Sequence, residues 1–376
     1  MTDRLSIDAP DDGGNIAVLD ASDPSDIRLA IEPDANAPFH QWFCFDVEAP
    51  AGRPVRMVIE NAGQASYVPG WRGYRAVASE DGEDWRRVET AYEGGALIIR
   101  HAARGPACRY AYFAPYGRAR YDALIAGAKA SALVRHDVLG RSLDGADIDR
   151  VTVGDGPLTG WVIARQHPGE TMGSWWMEGF VRRLLDADDA DARALRAAMT
   201  LCVVPMMNPD GARRGHLRTN AAGTDLNRAW AEPDAGASPE VLCVRNAMEE
   251  TGLDVFLDVH GDEAIANNFI AGAKGVPGWT DRLERLEAAF EAALLDASDS
   301  FQTVEGYGVP APGRANLKIA TNWVCERFDA LAMTLEMPFK DAAVNPDPVR
   351  GWSPERCRRM GRDCLTAIAR VAPQLR

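Results

Sequence analysis

The sequence predicts an α/β fold, a mixed and mostly parallel sheet with helices on both faces, preceded by an all-β antiparallel sandwich domain. Two observations lead there. Up to about residue 115, short alternating segments are separated by turn signals, with no long helical pattern between them. Beyond that point, apolar strand-like runs alternate with amphipathic helical stretches, the rhythm of βα units. The expected division is a sandwich domain over residues 1–115 and an α/β domain over 116–376.

In the first part, Gln41–Val47 and Val55–Glu60 alternate in polarity, and Arg75–Ser79, Ala96–Arg100 and Arg109–Phe113 follow as further strands. Ala51-Gly52, Pro69-Gly70, Asp81-Gly82 and Gly94-Gly95 supply the turns between them. His40 and His101 read as structural or exposed, since no other catalytic residue type clusters with them. Pro115–Ala130 is a hinge that becomes helical around Tyr121–Ala130. Strands are then expected at Ile148–Val153, Trp161–Ala164, Leu201–Met206, Val255–Val259 and Ala332–Met337. Helices are expected at Met172–Leu185 and Trp279–Leu295, after an N-cap and proline at Ser238-Pro239, and from Ser353-Pro354 towards Val371. In sheets of this kind, sites gather at the carboxyl ends of strands.

With 376 residues, 46% of them hydrophobic and 26% charged, the chain has room for two cored domains. A net charge of −14 argues against nucleic acid or an anionic membrane as partner. No apolar run approaches the roughly 18 residues of a membrane span, and the first residues lack a basic-then-apolar leader pattern. Seven scattered cysteines without a Cys-x-x-Cys read as reduced thiols, so a cytoplasmic location is expected. Cys357 and Cys364, seven apart on one helical face, read as packing residues.

The chemistry concentrates at strand ends. After the apolar run Trp161–Ala164 come His167 and Glu170, joined by a tight Pro168-Gly169 turn. Alone, that pair also describes a surface turn with a carboxylate in the first helical turn. His260 ends the strand Val255–Val259 in the same way. Two imidazoles and a carboxylate make the mixed N/O set of a hydrolytic zinc that keeps one position open. Asp258 and Asp262 flank His260, either as its hydrogen-bond partners or as turn carboxylates. Between these residues lie Asn208-Pro209-Asp210-Gly211, Arg213, Arg214, Arg218 and Asp225-Leu226-Asn227-Arg228. A guanidinium beside an amide suits a carboxylate, although a solvated basic loop has the same composition. Glu336 interrupts the apolar run Met333–Met337, a costly place for a carboxylate unless it is paired or near a cation.

These pieces, H-P-G-E, N-P-D-G, H-L-R-T-N-A-A-G-T-D-L-N-R, D-V-H-G-D-E and T-L-E-M-P-F, occur in the order found in zinc carboxypeptidases of the funnelin type, and the chain resembles their cytosolic carboxypeptidase branch over about residues 116–376. Trp42-Phe43 and Tyr112-Phe113-Ala114-Pro115-Tyr116 resemble that branch's amino-terminal sandwich. The resemblance implies one Zn²⁺ per chain held by His167, Glu170 and His260, with Glu336 as general base and Arg218 polarising the scissile carbonyl. It also implies that Asn227 and Arg228 hold the substrate's terminal carboxylate and that Asp225 orients the first zinc histidine. The implied substrates are C-terminal tails of peptides or proteins, with an acidic last residue as the branch's preference. Arg314 or Lys318 would then read the acidic side chain. The family's tyrosine shortly before the general base has no counterpart in Gly313–Ile319, and Tyr307 lies nearby. Two rivals stay open: an amidase acting on N-acyl amino acids, and a binding protein with a silent site. A serine hydrolase is disfavoured because Ser174 lacks the Gly-x-Ser-x-Gly elbow.

Overall fold

The computed structural model describes residues 5–376. The first part forms two five-stranded sheets facing each other. One runs in the order Ser6–Asp8, Cys44–Glu48, Ala107–Ala111, Val77–Ser79, Arg86–Arg87, and the other Ala17–Asp20, Ile27–Ala30, Pro54–Ile59, Ala96–Ala102, Glu89–Glu93. The expected antiparallel sandwich is borne out, with one departure: Ile27–Ala30 pairs in parallel with Pro54–Ile59. Between those strands the chain crosses to Cys44–Glu48 in the opposite sheet, so it returns in the same direction. Alternation makes the core here. In Pro54–Ile59, Val55, Met57 and Ile59 point inward and are buried, while the residues between them are not.

A seven-stranded mixed sheet forms the second part, ordered Val134–Arg141, Asp147–Val153, Met199–Val204, Leu158–Ala164, Val255–Asp262, Leu331–Pro338, Phe269–Gly272. The central strands are parallel; the flanking ones are antiparallel. Central strands are buried on both faces, and Leu331–Pro338 is buried at every position. Within Leu158–Ala164, Val162 and Ala164 pack towards the helices Met172–Leu184 and Pro354–Val371, whereas Trp161 and Ile163 join Pro239–Thr251 and Ala320–Phe328 on the other face. Cys357 and Cys364 are both buried in the last helix, as packing residues would be. Ser238 precedes the helix as expected, but its side chain does not cap it; the hydroxyl accepts the Asp234 N–H (3.0 Å) instead.

The two parts are joined by a polar seam. Arg87 of the sandwich is buried and donates to the carbonyls of Phe339 (2.8 Å), just beyond the strand Leu331–Pro338, and Trp352 (3.2 Å), just before the last helix. Tyr112 stacks on Phe339 with ring centroids 4.5 Å apart. Ala114 accepts from Thr171 Oγ1 (2.9 Å) and Trp175 Nε1 (3.0 Å), directly after Glu170.

One buried carboxyl in this frame gives a pH test. Burial pushes Glu240, in the first turn of Pro239–Thr251, up to about 7 from an ordinary 4.5, against a partial offset from the Asn220 amide. Between those values the unfolded chain has released a proton that the folded chain keeps, so stability falls as pH rises. Above about 7 both states are ionised and the deficit is constant. Glu240→Gln should therefore gain on the order of 1–3 kcal/mol relative to the native chain at about pH 8, and nothing at about pH 4, in urea unfolding. A stability difference that is the same at both pH values would contradict this.

Candidate active site

The register of the central sheet brings the site together. Ala164 pairs with Val259, so His167, three residues past Ala164, meets His260, one residue past Val259. His260 in turn pairs with Glu336 on the adjacent parallel strand. The carboxyl ends of three neighbouring strands thus carry His167 with Glu170, His260, and Glu336.

His167, Glu170 and His260 are buried, and one donor atom from each lies within 4.8 Å of the others. His167 Nδ1 is 2.7 Å from Glu170 Oε1, His260 Nδ1 is 2.8 Å from Glu170 Oε2, and the two Nδ1 atoms are 3.2 Å apart. The opposite ring nitrogens face carboxylates. His167 Nε2 is 3.1 Å from Asp225 Oδ1, and His260 Nε2 is 2.9 Å from Asp258 Oδ2. Those carboxylates favour Nε2–H donation and leave the Nδ1 lone pairs pointing inward, the tautomer a metal requires. Asp258 is itself held by Gln166 Nε2 (2.6 Å), whose Oε1 accepts Trp230 Nε1 (2.8 Å). Burial would raise Glu170, but the two histidines hold it well below the ordinary carboxylate range. His260 is pushed well up by Asp258 and Glu170, which outweigh its burial. A metal bound here would compete with protons for the same lone pairs. Three lone-pair donors in a buried, mixed N/O set fit Zn²⁺ with an open coordination position.

These residues line a cleft of about 490 Å³. Glu336 is 6% exposed, and its Oε2 has no hydrogen-bond partner among the described residues. Burial, with Glu170 and Asp262 adding to it, raises the Glu336 pKa well above the ordinary value despite His260 and Tyr307. Arg218 reaches the cleft with its Nε donating to Asp225 Oδ2 at 2.7 Å. Burial alone would lower its pKa, but the Asp225 carboxylate dominates, so the guanidinium stays charged. Asp225 therefore bridges His167 and Arg218, one carboxylate oxygen to each. Burial would raise Asp225; His167 and Arg218 drive it well below the usual range. Asn227 and Arg228 follow in a short 3-10 turn, Asn227 Oδ1 accepting from Ala320 N (2.9 Å) while both side chains line the cleft.

The rest of the expected set separates. Arg213 and Arg214 stand outside the cleft and face Asp144. Asn208 accepts from Gly211 N (3.0 Å) and serves as a helix cap. Arg314 and Lys318, expected to read an acidic side chain, are exposed and do not line the cleft. Their neighbours Ala315 and Leu317 pack towards the core, which turns the alternate residues of that loop to solvent. In their place Lys274 lines the cleft, next to Ala271 and Gly272 of the edge strand. Tyr307 lines it too, its hydroxyl donating to Asp262 Oδ2 at 2.7 Å. Tyr307 is half exposed, but partial burial of its hydroxyl and the nearby Glu336 and Asp262 carboxylates push that phenol up, so it remains protonated. Tyr67 enters the cleft from the first part of the chain, where no motif marked it.

Comparison with known proteins identifies the family. Residues 7–113 match the model of the cytosolic carboxypeptidase N-terminal domain, and residues 123–350 match that of zinc carboxypeptidases. An uncharacterized protein of Zymomonas mobilis is 47% identical over 99% of this chain and 97% of its own length. Cytosolic carboxypeptidase 2 of Danio rerio is 30% identical over 286 residues, which cover 66% of this chain and 39% of that protein. Among solved structures, a metallo-carboxypeptidase from Pseudomonas aeruginosa, in complex with (2-guanidinoethylmercapto)succinic acid, superposes with a TM-score of 0.96. It is 47% identical and covers 99% of this chain and 100% of its own. A metallo-carboxypeptidase from Burkholderia cenocepacia gives 0.95 at 40% identity, covering 98% and 99%. The chain belongs to the zinc carboxypeptidase family and carries, ahead of that domain, the N-terminal domain of the cytosolic carboxypeptidases.

Proposed function

We propose that this metallocarboxypeptidase depends on one Zn²⁺ per chain, held by His167, Glu170 and His260, and removes the last residue of peptide or protein C-termini, with a preference for glutamate. The observation that carries the reading is the three-donor cluster opening onto the same cleft as the buried Glu336 and the charged Arg218. Zinc bound there supplies a Lewis acid and lowers the pKa of a water, and its charge opposes the upward shift of Glu336.

The chain's own residues do the rest. Glu336, which lines the cleft and has one unpartnered carboxylate oxygen, takes the proton of the attacking water and passes it to the leaving amine. Arg218, fixed by Asp225, donates to the scissile carbonyl oxygen as negative charge develops on it. Arg228 and Asn227 bind the terminal carboxylate, for which a forked donor beside an amide is suited. Tyr307, kept protonated, can donate to the substrate once its hydroxyl leaves Asp262. Lys274 lines the edge-strand side of the cleft with its Nζ paired to Glu284 Oε1 at 2.6 Å, and a C-terminal glutamate would compete with Glu284 for that ammonium.

Zinc-loaded protein given peptides ending in Glu, Asp, Lys, Leu and Phe should release one terminal residue, fastest from Glu, and none from amidated controls, as read by mass. Cleavage of amidated peptides, or release from none of the five, would overturn the reading. Removing the metal with a chelator should abolish turnover, and added Zn²⁺ should restore it. Glu336→Gln should retain stoichiometric zinc yet lose about 10²–10⁴-fold in kcat. Turnover at the native rate would remove Glu336 from the mechanism. Lys274→Ala should lower kcat/KM for the Glu-terminated peptide by about tenfold, near 1.4 kcal/mol, and leave the Leu-terminated one unchanged. Equal effects on both peptides would show that Lys274 does not read the side chain.

A further inference from the structure

Arg218 sits in the zinc carboxypeptidase part of the chain, but the group that fixes its backbone does not. Asp34 lies in the sandwich part, on the loop between the strands Ile27–Ala30 and Cys44–Glu48, and is 2% exposed. Its Oδ1 accepts the Leu217 N–H at 2.6 Å. Its Oδ2 accepts the N–H groups of Arg218 and Thr219, both at 2.8 Å, and the Thr219 hydroxyl at 3.0 Å. No Lys, Arg or His pairs with this carboxylate among the described residues, so its charge is met by three consecutive backbone donors and a hydroxyl. Charge-assisted bonds of this kind are about twice as strong as neutral ones.

The same loop also confines the side chain. Asp34 N donates to Phe39 O (2.7 Å), which closes the loop, and the Phe39 ring centroid lies 5.6 Å from Arg218 Cζ. Tyr67, also from the sandwich part, has its ring centroid 5.8 Å from the same atom. Asp225 holds its Nε, and the guanidinium, flanked by the two rings, lines the cleft. Asp34, Phe39 and Tyr67 all precede residue 116, so the arginine's aim is set across the seam.

We propose that Asp34 is a positioning residue for the reaction: it locks Leu217–Thr219 so that Arg218 meets the scissile carbonyl oxygen, and the sandwich domain is thereby a working part of the active site. This rests on the role given above to Arg218. A carboxylate with a purely structural role would affect stability and leave turnover per folded molecule unchanged.

The test uses full-length, zinc-loaded protein and the Glu-terminated peptide, with kcat expressed per bound zinc. Asp34→Asn keeps the size and replaces one accepting oxygen with an amide that opposes the donors. It should lower kcat about tenfold or more, with KM within about threefold of native. Made in an Arg218→Ala background, the same change should cost less than about twofold further, because the group it aims is already gone. Native turnover by Asp34→Asn, or the same loss with and without Arg218, would overturn the proposal. If Asp34→Asn fails to fold, Thr219→Val, which deletes one of the four bonds, is read by the same cycle. A smaller kcat loss that vanishes without Arg218 supports the proposal, and native kcat or an additive loss overturns it. An inert native enzyme would sink the peptidase reading, and a fully active Arg218→Ala would sink the arginine's role; either takes the Asp34 proposal with it. A slow Arg218→Ala beside a native Asp34→Asn sinks the Asp34 proposal alone.

Discussion

Two imidazole nitrogens and a carboxylate are forced together at distances of 2.7–3.2 Å in a buried place, with their other sides already committed to Asp225, Asp258 and the Gly261 N–H. Lone pairs crowded in this way repel one another unless a proton or a metal sits between them. The fold provides the energy that holds them. His167 and Glu170 follow a strand buried on both faces, and His260 lies within the next parallel strand. Glu336 on the third strand, Arg218 through Asp225, and the short turn bearing Asn227 and Arg228 are all arranged about that cluster.

Asp225 and Asp34 show how the arrangement extends outward. Asp225 gives one oxygen to a candidate metal ligand and the other to the cleft arginine, which links the two side chains through one carboxylate. Asp34 ties the backbone of that arginine to the sandwich. The same stretch reaches the turn between His167 and Glu170: Leu217 O accepts from Gly169 N at 2.9 Å, and a Cβ on Gly169 would stand 2.8 Å from that oxygen. Glycine between His167 and Glu170 is therefore required by close backbone approach. The domain seam and the candidate active site share their bonds, which is why the sandwich is more than an appendage.

Much of this was legible in the sequence where chemistry left a pattern. Buried parallel strands write continuous apolar runs, so Trp161–Ala164, Val255–Val259 and Ala332–Met337 stood out, and the polar residues ending them pointed to the donor set. Short edge strands such as Ala17–Asp20, Glu89–Glu93 and Phe269–Gly272 did not, because they are brief and only partly buried. Arg314 and Lys318 have the charge and the proximity to Glu336 along the chain; orientation depends on which neighbours enter the core, and Ala315 and Leu317 do. Lys274 and Tyr307 reach the cleft through tertiary folding of an edge strand and a Gly- and Pro-rich loop that carry no periodicity. Asp34 and Tyr67 were invisible for a simpler reason: they act about 180 and 150 residues away in sequence, across a domain boundary, where no spacing rule applies.

The proposed function depends on the two histidines and Glu170 forming a zinc site aimed at the cleft. X-ray diffraction from crystals of the zinc-loaded protein, with anomalous data on both sides of the zinc edge, tests it most directly. One anomalous peak per chain is expected, at about 2.0–2.2 Å from Nδ1 of His167, Nδ1 of His260 and a carboxylate oxygen of Glu170, on the side of the cleft that holds Glu336. A zinc peak at any other residues, or none at this cluster in protein that retains stoichiometric zinc, would contradict it.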